Sequence, residues 1–215
     1  SDVYKRQDTI NKIGAFRQYS LNASVGTTIY GTPMNLSALS FNILMGICGG
    51  VIGAWLLNRD PFWMMSGALA GIISVASGLD IYFPALAFIV AIVAGLLLRP
   101  AAKMLEAFGI DDAVGAVTVH GTIGVYGMVV FGVFAQGYPA LFIENAPEVS
   151  ILGQLVGAIV TSLCGFIPGY LISLGLSGLG MLRTPEAAEL AGLDATKIPA
   201  QAYPEGIPAS AQPSE

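Results

Sequence analysis

From Ala113 to Ala135 the chain carries no formal charge, and this stretch constrains the fold more than any other. A helix needs ~20 apolar residues to cross the hydrocarbon core of a bilayer, and this one is long enough. Inside it sits His120, the only histidine in the protein. On a regular helical wheel Ala113, Ala116, Gly124 and Gly127 share the face of His120 to within about 40°. The one imidazole of the span is therefore bordered by side chains of almost no size, so a neighbouring helix or a small solute can come close to it. Two readings stand side by side. His120 is a structural histidine bonded to a carbonyl of the next helix, or it is part of a pathway or proton relay, the usual reason for an ionisable group inside a membrane span. The glycines serve helix packing under either reading.

Composition agrees with a membrane protein. Hydrophobic residues make up 54% and charged residues 11% of the 215, against about 25% charged in soluble domains. Mean hydropathy is +0.71. The net charge is −5, and no basic patch of the kind that binds nucleic acid is present, so a nucleic-acid partner is excluded. Cys48 and Cys164 lie in apolar spans and read as small buried hydrophobes, with no disulfide inferred. No cofactor, metal site or enzymatic activity is expected.

Four further apolar spans surround the histidine span, which predicts an all-α membrane protein with five transmembrane helices. Residues 36–57 contain GICGGVIG, Gly46 to Gly53. Residues 62–79 contain SGALAG, Ser66 to Gly71, whose Gly67 and Gly71 form a small-xxx-small pair. Residues 81–98, 113–135 and 149–182 follow. The last is too long for one perpendicular crossing, since at 1.5 Å per residue it would rise ~51 Å. It tilts, bends at Pro168, or leaves the bilayer at its ends. Residues 1–7 match nothing that follows and read as a remnant, and residues 8–35 as an extracytoplasmic loop without a signal-peptide core. A polytopic chain that opens in mid-loop is expected to be truncated.

Arg59 lies between spans one and two, Arg99 and Lys103 between three and four, and Arg183 and Lys197 after five. The alternate loops carry only Asp80, Glu144 and Glu148. The positive-inside rule then places the basic loops and the C-terminal tail, residues 184–215, in the cytoplasm, with Trp55 and Trp63 as interface anchors beside Arg59. Lys12 and Arg17, before the first span, run against this assignment. Asp111 and Asp112 precede the histidine helix, where carboxylates cap free N–H groups and meet the positive end of the dipole. The tail is rich in Pro, Ala and Glu and holds too little apolar surface for a core of its own.

Three stretches carry a resemblance. DDAVGAVTVHG, Asp111–Gly121, is similar to the signature entering the penultimate helix of the ammonium transporters, the Amt/Rh family. PFWMMSGALAGIISVASG, Pro61–Gly78, looks like that family's eighth helix, and LRTPEAAELAGLDATKIPAQAYPEG, Leu182–Gly206, resembles its cytoplasmic tail. The resemblance runs from Asn35 to about Gly206. It implies that the five spans are helices seven to eleven of an eleven-helix fold, so that this chain is the C-terminal part of a multi-pass subunit of the cell (inner) membrane.

By the same resemblance His120 takes the place of the second histidine of a pore pair. Ammonium would give up its charge at an outer aromatic site and pass two imidazoles in an apolar lumen. Transfer of a bare ammonium ion into hydrocarbon is prohibitive, and an imidazole can accept through one nitrogen while donating through the other. Gly121, Gly124, Gly127, Gly67, Gly71 and Ser66 are the expected lumen or helix-packing residues. The family also implies a homotrimer, transport of ammonium or ammonia with methylammonium as an analogue, and a PII-type signalling protein at the cytoplasmic face. Family members often carry His-Gly-Glu before the AY pair of the tail, where this chain has Ile198, Pro199 and Ala200. The first histidine and the outer site belong to helices that precede these five. Two other functions compete. An ammonium sensor would signal through the tail. An intramembrane serine protease would use Ser177 of GLSG with His120, but Ser177 falls near the end of its span and the order of the two residues is reversed.

Overall fold

The computed structural model describes residues 36–138, 140–141 and 147–192, and the described residues contain helices and no strand. Five helices are long and apolar enough to cross a membrane. They are α1 (Leu36–Asn58), α2 (Pro61–Val75, continued by a 3₁₀ turn at Ala76–Gly78), α3 (Pro84–Ala107), α4 (Ile123–Phe134, preceded by a π-helical turn at Val117–Thr122) and α5 (Ile151–Gly178). A short helix, α6 (Glu186–Ala191), follows. The predicted loop at 8–35 and most of the tail, with Lys12, Arg17, Glu144, Lys197 and Ile198–Ala200, lie outside the described residues.

The chain divides into two compact units, Ser1–Ser162 and Leu163–Glu215. The first is built on contact between backbones. Gly46 and Gly50 of α1 face Gly67 and Gly71 of α2, while Gly49 and Gly53 face α3. A Cβ placed on Gly50 would fall on the Gly67 carbonyl oxygen, one on Gly71 on the Gly46 carbonyl, and one on Gly53 on the Ile92 carbonyl. Glycine is the only residue that lets carbonyl oxygens sit against the next helix at this range. Around this seam two apolar clusters close. One joins Trp63, Ala70, Leu98, Ala102, Val119 and Ile123, the other Val75, Tyr82, Val90, Phe131 and Tyr138.

The turn from α2 to α3 is clasped to α1 by one side chain. Asn42 is 2% exposed. Its amide donates to the carbonyls of Leu79 at 2.9 Å and Tyr82 at 2.7 Å. Within this turn Asp80 is buried, and burial pushes its carboxyl up to about 6 from 3.8. The turn from α1 to α2 is shorter. The Arg59 N–H donates to Trp55 O at 3.2 Å, Asp60 caps α2 by accepting from Phe62 N at 2.8 Å, and Pro61 opens the helix. Arg59 is the one non-glycine residue at positive φ among those described, at 49°. That left-handed conformation costs a residue bearing a Cβ ~1 kcal/mol or more.

Helix bounds depart from the hydropathy spans in two informative places. The third span ends at Leu98, yet α3 continues through Arg99 and Pro100 to Ala107. Hydropathy registers only the part of a helix that matches lipid and is silent on where the hydrogen-bond ladder stops. The fifth helix, Ile151–Gly178, is shorter at both ends than its 149–182 span and is continuous through Pro168. Cys48 and Cys164 differ from expectation, since both are exposed free thiols. An apolar span has a lipid face as well as a packed one, and composition does not separate them. In the second unit the rings of Phe166 and Tyr170 stack at 5.7 Å, and Thr184 Oγ1 donates to Glu189 Oε1 at 2.9 Å.

Two outcomes follow from this packing. Gly71→Val should lower the stability of the detergent-solubilised chain by ~1–3 kcal/mol or more, because backbone cannot yield to a new side chain. A thermal midpoint equal to that of the unchanged protein would show that α1 and α2 are not in backbone contact. For Asp80 the folded pKa lies above the unfolded one, so its contribution is fully present below about pH 4 and is lost as pH rises through about 6. The shift corresponds to ~3 kcal/mol. Asp80→Asn should therefore be more stable than the unchanged protein at neutral pH and should flatten this part of the stability–pH profile, measured by denaturation across that window.

Candidate functional site

His120 stands on a π-helical turn, Val117–Thr122. The Ile123 N–H reaches back to the Thr118 carbonyl as well as to that of His120, the wider ring that defines such a turn. These turns are rare and occur disproportionately at functional sites. Its entry is built by local chemistry. Gly115 takes φ +71°, which reverses the chain after Asp112, and its N–H donates to Asp112 O at 2.8 Å. The Asp112 carboxylate then accepts from Val117 N at 3.1 Å, Thr118 N at 2.8 Å and Thr118 Oγ1 at 2.9 Å. Partial desolvation pushes its pKa up, and the hydrogen bonds from Thr118, Val117 and Ala116 outweigh this and hold it below the usual carboxylate value. Thr118 is fully buried, so one side of the turn is locked into the protein.

The other side is open. His120 and Gly121 are exposed, and around Gly124 no atom lies within 4 Å of a notional Cβ. Gly127 lies differently. A Cβ there would meet Ser74 O at 2.9 Å and Ser74 Cα at 3.0 Å, which places α4 against α2. The regular wheel grouped Gly124 and Gly127 with His120 on one face, and the structure sends Gly127 into a helix contact while Gly124 stays open. The π turn, Val117–Thr122, carries one extra residue and so rotates His120 by about 100° relative to the regular helix that follows, while Gly124 and Gly127 both lie on that helix about 60° apart. Gly67 and Gly71 are packed on α1, and Ser66 is buried at 8% exposure on the same helix. Asp111 is exposed, and the cap is made by Asp112. Ser177 is exposed in the last turn of α5.

Two contributors escaped the sequence reading, Thr118 and Gly115. The signal was present as Asp112-x-x-Gly115-x-x-Thr118, a carboxylate followed by a chain reversal and a hydroxyl able to return to it. Tyr126 adds a further tie from the histidine helix to α3, donating to Val90 O at 3.1 Å. What results is an imidazole on an open, small-sided face of an apolar helix, with its backbone fixed from behind by a charged cap. Such a face can sit against a small polar solute that has left water.

Asp112→Ala should expose the Val117 and Thr118 amides to faster hydrogen exchange and cost ~1 kcal/mol, the usual scale for a lost N-terminal cap. Asp111→Ala should leave both unchanged. Equal effects of the two substitutions would mean that the cap does not hold the turn.

The model of the Ammonium Transporter Family matches residues 16–203. The chain is 35% identical over 194 residues to ammonium transporter Amt1 of Methanocaldococcus jannaschii, across 89% of this chain and 48% of that protein. It is 35% identical over 164 residues to Amt2 of the same organism, across 75% and 38% respectively. To Amt2 of Archaeoglobus fulgidus it is 28% identical over 204 residues, across 88% and 43%. The chain spans about half or less of the length of these relatives.

Proposed function

Given that the chain belongs to the ammonium transporter family, we propose that it forms the C-terminal part of a subunit that carries ammonium or ammonia through a histidine-lined apolar pore. The family and the apolar helices make it a multi-pass membrane protein. The observation that supports the pore reading is the open face of His120, Gly121 and Gly124 on a helix whose opposite side is locked into the bundle.

Charge is the central difficulty of such transport. An ammonium ion cannot enter hydrocarbon bare, so it must shed its proton or find acceptors along the way. A histidine on an otherwise apolar face offers an acceptor on one ring nitrogen and a donor on the other, so a nitrogen solute can be handed along without water. Small residues beside it leave room for a molecule of that size. Completion of the pore then falls to a second wall facing His120, contributed by the part of the relatives that this chain does not span. The proposal extends to a homotrimer in the cell membrane with the C-terminal tail in the cytoplasm, which the charge of the connecting loops supports, and to a PII-type protein as a partner at that face.

In a full-length protein carrying these helices, His120→Ala should abolish or alter uptake of labelled methylammonium by proteoliposomes while the assembled protein is recovered intact. Unchanged uptake with unchanged ion selectivity would remove His120 from the pathway.

A further inference from the structure

Both tryptophans of the protein lie at one end of the α1–α3 bundle, and each carries an arginine. The Arg59 guanidinium lies 5.2 Å from the centroid of Trp55 in the last turns of α1. The Arg99 guanidinium of α3 lies 5.4 Å from that of Trp63 in the first turn of α2. Phe62 meets Trp63 edge to face at 5.2 Å. Trp63 itself is 8% exposed, so Arg99 rests on a ring anchored in the core.

Arg59 also occupies the position that a glycine would hold without strain, at φ 49°. A strained residue retained where a better one is available points to a use for its side chain. The stacking fits that use. A guanidinium on an indole spends its face and keeps its edge, where the N–H groups lie in the fork that matches phosphate oxygens. Among the described residues neither arginine has a carboxylate in ion-pair contact. Asp60 takes the free N–H of α2 instead. Directly alongside are exposed apolar side chains, Leu56, Leu57, Phe62 and Met65, at 55%, 50%, 44% and 74% exposure. A basic edge joined to an apolar flank suits an amphiphile, whereas a free anion would use only the former.

We propose that Arg59 and Arg99, braced by Trp55 and Trp63, form a binding site for the phosphate headgroup of an anionic phospholipid, with its acyl chains lying along α1 and the start of α2. The occupant is lipid rather than soluble phosphate. Trp55, Arg59 and Trp63 lie where the apolar runs of α1 and α2 meet, and the exposed apolar flank beside them suits acyl chains rather than water.

The two tryptophans make the test direct, since no other indole contributes to emission. The chain is reconstituted in phosphatidylcholine bilayers holding a small fraction of brominated lipid, either phosphatidylglycerol or phosphatidylcholine. Quenching by the brominated phosphatidylglycerol should exceed that by the brominated phosphatidylcholine, corresponding to an enrichment of about five- to tenfold over random mixing. Arg59→Gly should keep or raise the thermal midpoint while losing several-fold of this preference, and Arg59→Gly with Arg99→Gln should reduce it to random mixing. Equal quenching by the two lipids in the unchanged protein would overturn the site, and this measurement needs no variant to fold. A preference that survives in Arg59→Gly with Arg99→Gln would overturn it as well.

Discussion

The first unit depends on carbonyl oxygens of one helix resting on the glycines of the next. Gly50 is the centre of this contact, since Gly67 and Gly71 of α2 and Gly95 of α3 all approach it. In a bilayer the lipid tails are as apolar as any side chain, so burial of leucine against leucine does not by itself drive helices together. Close van der Waals fit does, and backbone-to-backbone approach is its tightest form. The seam also explains why α1, which carries so many large exposed side chains, still has a fixed partner set. Its glycine face, together with Asn42, sets those partners.

The histidine helix is attached to this seam through α2. Gly127 rests on Ser74, and Ser74 Oγ returns to Gly71 O at 2.8 Å, so the contact with α4 leads back to the glycines of α1. The Asp112 cap fixes the other end of the same segment. Between these two attachments lies the π turn, and the register change it introduces turns His120 relative to Gly127 on the helix that follows. A regular helix would have carried the glycine that packs and the histidine that stays open on the same side.

Much of this was legible in the sequence. Five charge-free stretches gave five helices, because hydrocarbon permits no other way to satisfy an isolated backbone segment. The Gly67–Gly71 pair was readable as a packing motif, since small residues one turn apart have a single common purpose on an apolar helix. His120 was readable as special because a lone ionisable residue in such a span needs a reason. The failures have a shared origin. The rotation of His120 away from Gly127, the persistence of α3 past Pro100 and the exposure of Cys48 were not readable from a regular wheel or from hydropathy. Periodicity assumes 3.6 residues per turn throughout and has no term for one wide turn. Asn42 was missed for a related reason, as its acceptors are backbone carbonyls, which every residue possesses and no sequence pattern marks.

That asparagine has a consequence for the order in which the molecule takes shape. Its two acceptors lie 37 and 40 residues further along the chain. Until residues 79–82 have emerged from the ribosome and reached the bilayer, the Asn42 amide lacks the two carbonyls that hold it in the folded chain. A hairpin of α1 and α2 is thus an uncomfortable resting point in synthesis. The arrival of the next turn resolves it, so α1, α2 and the turn into α3 settle together.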